Sequence, residues 1–289
     1  MKIAVTGSGG FIGKVLVGQL QAAGHEVLSL SRGALSEPDF SGVDVVIHCA
    51  ALAHRTGAGR PDAATFDAVN HRLTVRLAEQ ARQAGVRRFV FVSTIHTIAG
   101  NRQPLTTGMP LAPRDDYGRA KAQAEAALIT MEGIEAVIAR PVLVYGPGAR
   151  ANLHALMKLC DSRLPLPFGL ASNKRSLVSL ENVVRALVFL AEMPAEKLSG
   201  RIFHLAEPET RSTRELVTKA RQALGRPLNL LPVPPCIMKL LLSAVGKSNM
   251  YEQLFGDLIV DGTTIERAGF RYRPGEGQLA AMAITARDI

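Results

Sequence analysis

The chain is expected to be an α/β protein, with a doubly wound parallel sheet followed by a smaller mixed C-terminal lobe. Three observations predict this. Short β-rich runs alternate with amphipathic helical patterns through the first half of the chain. A glycine-rich turn follows the first of those runs directly. The alternation stops near Tyr145-Gly146-Pro147-Gly148, after which Pro-rich loops and irregularly spaced helical stretches take over. Strands that alternate with helices imply parallel pairing, with both faces of the sheet covered.

Taken in order, Lys2–Val5, Glu26–Leu30, Asp44–His48, Arg88–Ser93 and Glu135–Ala139 are the expected strands. Residues 11–23, 71–84 and 117–132 carry the helical pattern between them. Because Met1 to Thr6 run straight into the glycine turn, the start of the chain reads as a strand and not as a signal peptide. Residues 1–147 are therefore one expected domain. Residues 148–289 form the lobe, with some segments returning to the main sheet. The lobe's most apolar stretch, Cys236 to Val245, is interrupted by Lys239 and is too short to span a bilayer, so it is expected as a packed helix.

Composition narrows the function classes. The 289 residues are 47% hydrophobic and 20% charged, which is enough for a sizeable core. Cys49, Cys160 and Cys236 lie far apart, without a C-x-x-C pair. They read as small buried hydrophobes in a reducing, cytoplasmic setting, and no disulfide frame or metal site is expected. A formal charge of +9 raises the question of nucleic acid. The basic residues are dispersed, however, and no helix-turn-helix, zinc or aromatic-platform pattern accompanies them. Nucleic acid is not the expected partner; the charge suits a ligand that carries a diphosphate.

Gly7-Ser8-Gly9-Gly10-Phe11-Ile12-Gly13 follows the first strand and opens a helix, with Gly7, Gly10 and Gly13 spaced G-x-x-G-x-x-G. Gly7 permits the tight turn, Gly10 lets backbone approach a pyrophosphate, and Gly13 lets helix and strand pack closely. The free N–H groups at the helix start favour phosphate. Strand before and helix after are the context that such a motif requires, and they point to a Rossmann-type dinucleotide site. At the end of the second strand, an acidic residue would hold a ribose 2′-hydroxyl and favour NAD. Ser31 and Arg32 stand there instead. A hydroxyl and a guanidinium suit a 2′-phosphate, so the expected cofactor is NAD(P)H, with NADPH favoured.

The fourth strand ends at Phe91-Val92-Ser93-Thr94, and Tyr117-Gly118-Arg119-Ala120-Lys121 opens a later helix. Positions i and i+4 share a helix face, so Tyr117 and Lys121 converge. A free tyrosine, with a pKa of about 10, is a poor acid–base group at neutral pH. A neighbouring lysine and an oxidised nicotinamide are expected to lower that value. Thr94 sits at the carboxyl end of its strand, where such sheets bind ligands.

With these residues assembled, the chain resembles the extended short-chain dehydrogenase/reductases, the NAD-dependent epimerase/dehydratase family, over nearly its whole length. Thr6 to Gly13 resembles the family's glycine loop, and Val46 to Ala51 its next cofactor-contacting strand end. The resemblance places Phe11, Ile12, Cys49, Ala50, Ala51, Asn70, Lys121 and Pro141 beside the cofactor. It makes Thr94, Tyr117 and Lys121 the catalytic residues. Arg140-Pro141-Val142-Leu143-Val144-Tyr145-Gly146-Pro147 is similar to the family's R-P-x-x-V-Y-G-P turn. For the substrate, the resemblance implies Thr94, His96, Asn152, Leu153, Leu166, Phe168 and Arg175, the last on a UDP diphosphate.

Three departures stand out. Leu143 replaces a common asparagine, the stretch from Gly33 to Gly42 looks too short for a further strand, and the loop from Thr94 to Gly100 is long. Leu164 to Gly169 and Lys174 to Ser179 look most like a bacterial subgroup acting on UDP-N-acetylhexosamines. That likeness implies reduction of the C4 ketone of a UDP-4-keto-6-deoxy-N-acetylhexosamine, which forms UDP-N-acetylquinovosamine. The alternative is a UDP-sugar 4-epimerase with tightly bound NAD. A non-catalytic cofactor-binding protein would lack the Tyr117/Lys121 pair. The resemblance also implies a homodimer through the helices at 71–84 and 117–132. The mechanism calls for no metal at His48, His54 or His96.

Overall fold

The computed structural model describes residues 1–52, 61–98, 104–149, 151–198 and 200–287. Along the chain run β1 (Lys2–Thr6), α1 (Phe11–Ala22), β2 (Glu26–Leu30), β3 (Val45–His48), α2 (Ala63–Asp67), α3 (Leu73–Gln83), β4 (Arg88–Val92), α4 (Asp116–Thr130), β5 (Glu135–Pro141) and β6 (Leu143–Tyr145). There follow α5 (Ala151–Asp161), β7 (Arg175–Ser179), α6 (Leu180–Glu192), β8 (Ile202–Leu205), β9 (Thr210–Arg211), α7 (Thr213–Ala223), α8 (Pro235–Ala244), α9 (Ser248–Phe255), α10 (Thr263–Arg267) and α11 (Glu276–Thr285). The chain divides into two units. Unit 1 holds residues 1–142, 182–205 and 261–271, and unit 2 holds 143–181, 206–260 and 272–289.

Unit 1 is built on a six-stranded, all-parallel sheet in the order β2-β1-β3-β4-β5-β8. Its inner strands are near-continuous apolar runs because both faces are covered. Ile3, Ala4, Val5, Val45, Val46, Ile47, Phe89, Val90 and Phe91 are all inaccessible to solvent. The register sets Val5 beside Ile47, Ile47 beside Val90 and Val90 beside Val137, so the strand ends that follow come out on one edge. One face packs on α3 and α4 through Leu77, Ala78, Ala81, Ala124 and Leu128. At the opposite end of β4, the buried Arg88 guanidinium donates to the carbonyls of Leu190, Ala191 and Met193 at 2.7, 3.2 and 2.6 Å. It thereby satisfies carbonyls that the end of α6 leaves without helical partners. Glu135 neutralises it at 2.7 Å.

The helix expected over 71–84 starts earlier. Asp62 caps α2 by accepting from the Thr65 N–H, and a π-helical turn at Ala68–Arg72 joins α2 to α3. The extra residue in that turn breaks the 3.6-residue period, which is why the apolar pattern becomes legible only beyond it. Between β2 and β3, in the stretch read as trimmed, the described residues hold a 3-10 turn at Arg32–Leu35 and no strand.

Unit 2 carries a mixed sheet, β6-β7-β9, in which β6 runs parallel and β9 antiparallel to β7. α7 opens with a reciprocal capping box between Ser212 and Glu215 and packs with α5 and α11. One expectation is corrected here. The helix α8, from the stretch Cys236 to Val245, rests on α9 alone among the main contacts and is largely exposed: none of its residues is fully buried. Its apolar side chains recur on the outward arc, where a count of hydrophobic residues gives no warning of exposure. No helix among the described residues is long and apolar enough to cross a membrane.

Candidate active site

The carboxyl edge of the unit 1 sheet gathers the sequence-predicted residues that belong to that unit. Gly7 takes φ +67° and its N–H donates to the Leu30 carbonyl at 2.9 Å, which ties the turn to the end of β2. A Cβ at Gly7 would lie 2.7 Å from Ala50 Cα, and one at Gly13 would lie 2.2 Å from the Gly7 carbonyl oxygen. Glycine is therefore demanded at both positions by backbone approach, and Cys49-Ala50 is held against the loop. A Cβ on Gly9, by contrast, would meet nothing within 4 Å, and Gly10 caps α1 with no side chain on its N–H groups. This open, side-chain-free cradle at a helix start fits a dinucleotide pyrophosphate. Phe11 and Ile12 form the first turn above it and are partly buried, while Ser31 and Arg32 are exposed.

A buried polar relay fixes the neighbouring strand ends. Thr6 Oγ1 lies 2.7 Å from His48 Nδ1, and His48 Nε2 lies 3.0 Å from Thr74 Oγ1, which donates to the Asn70 carbonyl. Asn70 then grips Leu52 twice, accepting from its N–H at 2.7 Å and donating to its carbonyl at 3.0 Å. The π-turn is what directs Asn70 inward. Asn70 thus acts through the backbone that follows Ala51, the exposed end of the predicted contact strand. In the sequence Thr6 stands only as the first residue of the glycine loop and Thr74 carries no signal, since a threonine in a strand or helix is silent without its partner.

Thr94 is extended, buried and at the end of β4, and its hydroxyl accepts from the His96 N–H at 3.3 Å. Tyr117, in the first turn of α4, is hydrogen-bonded to the Thr94 side chain. Asp115 caps α4 through Gly118 N–H at 2.6 Å and meets His96 Nδ1 at 3.2 Å. His96 and Phe66 both pack edge-on to the Tyr117 ring, with centroids 6.1 Å away. Lys121 is buried one turn on. Its ammonium donates to the Val92 carbonyl at 2.9 Å and lies 4.3 Å from the centre of the Phe91 ring. Pro141 ends β5, buried beside Leu205.

Burial dominates the electrostatics of this group. Burial pushes the Tyr117 phenol up to about 12, outweighing the Thr94 hydrogen bond that lowers it, while Asp115 raises it further. The lowering expected of this phenol involves an oxidised nicotinamide as well as the Lys121 ammonium. Burial brings that ammonium itself down to about 7, against the raising influence of Cys49 and Glu125, and its proton is directed at Val92. Cys49 is pushed up to about 12 by burial and stays a thiol.

Behind the hydroxyl pair, Arg140 clamps Glu125 through Nε at 3.0 Å and Nη2 at 2.6 Å, and Ser93 donates to the same carboxylate. All three are buried. Arg140 appeared in the sequence only as the first letter of a turn motif, and Glu125 not at all.

The substrate residues expected in unit 2 have mixed surroundings. Leu166 and Phe168 are 2% exposed, the first bridged to Leu230 and the second packed on Phe255 at 5.8 Å. Leu153 is buried in α5. All three pack within unit 2, as apolar side chains covered by their neighbours do. Arg175 spends Nη1 on the carbonyls of Glu252 and Gly256, at 3.1 and 2.9 Å. Asn152 is exposed and donates to Gln253 at 2.9 Å. Among the described residues, no group of three or more His, Cys, Asp or Glu is placed to hold a metal ion.

The family model for "NAD dependent epimerase/dehydratase family" matches residues 3–206. The chain belongs to that family. It is thus an enzyme of the epimerase/dehydratase group, in which NAD is the cofactor of record. A UDP-glucose 4-epimerase from Vibrio cholerae is 37% identical over 289 residues, covering 90% of this chain and 87% of the relative. A 2-alkyl-3-oxoalkanoate reductase from Stenotrophomonas maltophilia is 29% identical over 258 residues, covering 78% and 77%. The epimerase/dehydratase fold itself is matched by a UDP-glucuronic acid 4-epimerase from Bacillus cereus solved with NAD. That match has a TM-score of 0.78 and 20% identity, covering 100% of this chain and 99% of the other.

Proposed function

We propose that this chain is a UDP-sugar 4-epimerase working with bound NAD. The observation that carries the reading is the Thr94–Tyr117 hydroxyl pair beside buried Lys121, in a chain 37% identical to a UDP-glucose 4-epimerase over 90% of its length. The glycine cradle at Gly7, Gly10 and Gly13 would hold NAD, which would supply reversible hydride exchange at C4 of the hexose. Thr94 holds the C4 oxygen, and Tyr117 takes its proton and later gives it back. Lys121 orients the cofactor ribose and His96 lines the approach to Tyr117. In unit 2 we assign the UDP end to Asn152 and Arg175.

This choice favours the alternative of the sequence analysis over the C4 ketoreductase. The reductase with NADPH remains the second reading on one observation: Ser31 and Arg32 are both exposed at the end of β2, as a 2′-phosphate contact would require. A homodimer is proposed with either reading and is checked by light scattering.

The experiment is to give the purified protein UDP-glucose or UDP-N-acetylglucosamine without added reduced cofactor, and to follow the C4 epimer by chromatography. Epimer formation supported by NAD alone is the expected result. No epimer, together with stoichiometric NADPH consumption on a UDP-4-keto-6-deoxy-N-acetylhexosamine, would replace the epimerase with the reductase.

A further inference from the structure

Helix α4 holds the end of β4 with one face. Tyr117, Lys121 and Glu125 follow one another at intervals of four residues, so their side chains lie along one side of the helix. Each holds a different one of three consecutive residues. The Tyr117 hydroxyl meets the Thr94 side chain, Lys121 donates to the Val92 carbonyl at 2.9 Å, and Glu125 accepts from the Ser93 hydroxyl. Tyr117 and Lys121 have roles in the proposed reaction. Glu125, wholly buried one turn further on, has none.

We infer that Glu125 is a positioning residue of this active site: as the fixed acceptor for Ser93, it sets the strand end from which Thr94 reaches Tyr117. Glu125 is itself held in one orientation. Arg140 binds both of its oxygens, Nε at 3.0 Å from Oε1 and Nη2 at 2.6 Å from Oε2, a paired fork that fixes the plane of a carboxylate. Ser93 is therefore referred to β5 twice. Its N–H donates to the Ala139 carbonyl at 2.7 Å, and its hydroxyl reaches Arg140, the next residue, through Glu125. Thr94 follows directly in the chain, and no side chain but that of Tyr117 has been placed on its hydroxyl. Freed from its acceptor, the buried Ser93 hydroxyl would turn to nearby backbone groups and drag the strand end with it. Stability does not account for the ion pair, because apolar residues of like volume serve a core as well or better. They could not accept from Ser93.

This role rests on Thr94 and Tyr117 as the reacting pair, which the epimerase and reductase readings share. Wild-type chain that turns over neither kind of UDP-sugar removes that pair, and this role with it; the variants address the role alone. The test is steady-state kinetics of the full chain on the substrate it uses, alongside urea midpoints and NAD binding by equilibrium dialysis. Glu125→Leu/Arg140→Met leaves no buried charge and no acceptor for Ser93. Its kcat should fall about ten-fold, less than the roughly 10²-fold of a 1 Å misplacement, because the Ser93 N–H stays anchored. KM and NAD affinity should stay within about two-fold, as for a loss felt only in the reacting step. Glu125→Gln/Arg140→Met returns an amide oxygen to Ser93 and should recover most of that kcat without being the more stable of the two. Ser93→Ala keeps the ion pair, so it should lose kcat like the Leu variant while its urea midpoint barely moves. A merely structural Glu125 would shift midpoints and spare the kcat of folded enzyme. Wild-type kcat in Ser93→Ala or in the Leu variant, or equal kcat in the Gln and Leu variants, overturns the proposal. If the double variants do not fold, Ser93→Ala decides alone.

Discussion

The α-carbon of Gly118 lies so close to His96 that a Cβ there would sit 2.5 Å from the His96 carbonyl oxygen. Two backbones that carry the reacting groups, the turn after Thr94 and the first turn of α4, are thereby pressed together. Asp115 closes the same contact from the side, bonding both Gly118 and His96.

Gly118→Ala is therefore expected to displace Tyr117 from Thr94 while the sheet stays folded. A misplacement of about 1 Å costs roughly 10²-fold in rate, so kcat should fall by about that factor with a smaller effect on KM. Steady-state kinetics alongside circular dichroism checks this; an active variant would show that the approach of the two backbones does not set the Tyr117 position.

Tyr117→Phe keeps the ring contacts with Phe66 and His96 and removes the proton carrier. Turnover is expected to drop by about 10²–10⁴-fold, and NAD binding measured by equilibrium dialysis should persist. Unchanged turnover would remove Tyr117 from its role.

The pair Glu125–Arg140 is an ion pair out of reach of water, with both partners essentially inaccessible. Arg140→Met leaves a buried carboxylate without its cation and should cost about 3–5 kcal/mol in urea unfolding. Glu125→Leu/Arg140→Met should regain much of that loss, because no charge is then left stranded. A double variant as unstable as the single one would mean that the pair's hydrogen bonds, Ser93 included, matter more than its charge.

Acid should unfold unit 1 through two buried histidines. Burial pushes His48 down from 6.5 to about 3 and His204 down from 6.5 to about 4, the latter with help from the charge on Arg140. Below pH 6.5 the unfolded chain binds these protons and the folded one does not. Each group thus removes about 1.4 kcal/mol of stability per pH unit until its folded value is reached. Urea midpoints measured between pH 7 and pH 4 should fall steadily, and His48→Gln should flatten the slope. An equally steep slope in that variant would place the acid sensitivity elsewhere.

Much of unit 1 was legible before any coordinates. β2 runs from Glu26 to Leu30 in both the pattern and the structure, because a short run with apolar and β-branched residues between turn residues announces a strand even at the edge of the sheet. The glycine loop was equally readable, since Gly7 and Gly13 are required by local backbone contacts. What stayed hidden depends on partners distant in sequence. Thr6, His48 and Thr74 become a relay only when β1, β3 and α3 meet, and Glu125 gains meaning only opposite Arg140. In unit 2, Leu166 and Phe168 share a motif with surface residues, and no periodicity separates the inward ones from the outward ones. The exposure of α8 escaped for the same reason: an apolar arc looks alike whether it is covered or bare.

Unit 1 takes β8 from residues 202–205 and α10 from 263–267, long after its other strands. A nascent chain leaving the ribosome therefore holds β5 with one flank unpaired until that late strand arrives, although Ala136 to Ala139 are already wholly apolar. Such an open flank is a template for pairing with another chain. Translation products that stop short of Leu205 should accordingly collect in inclusion bodies, and the rate of elongation between codons 142 and 205 becomes a determinant of yield.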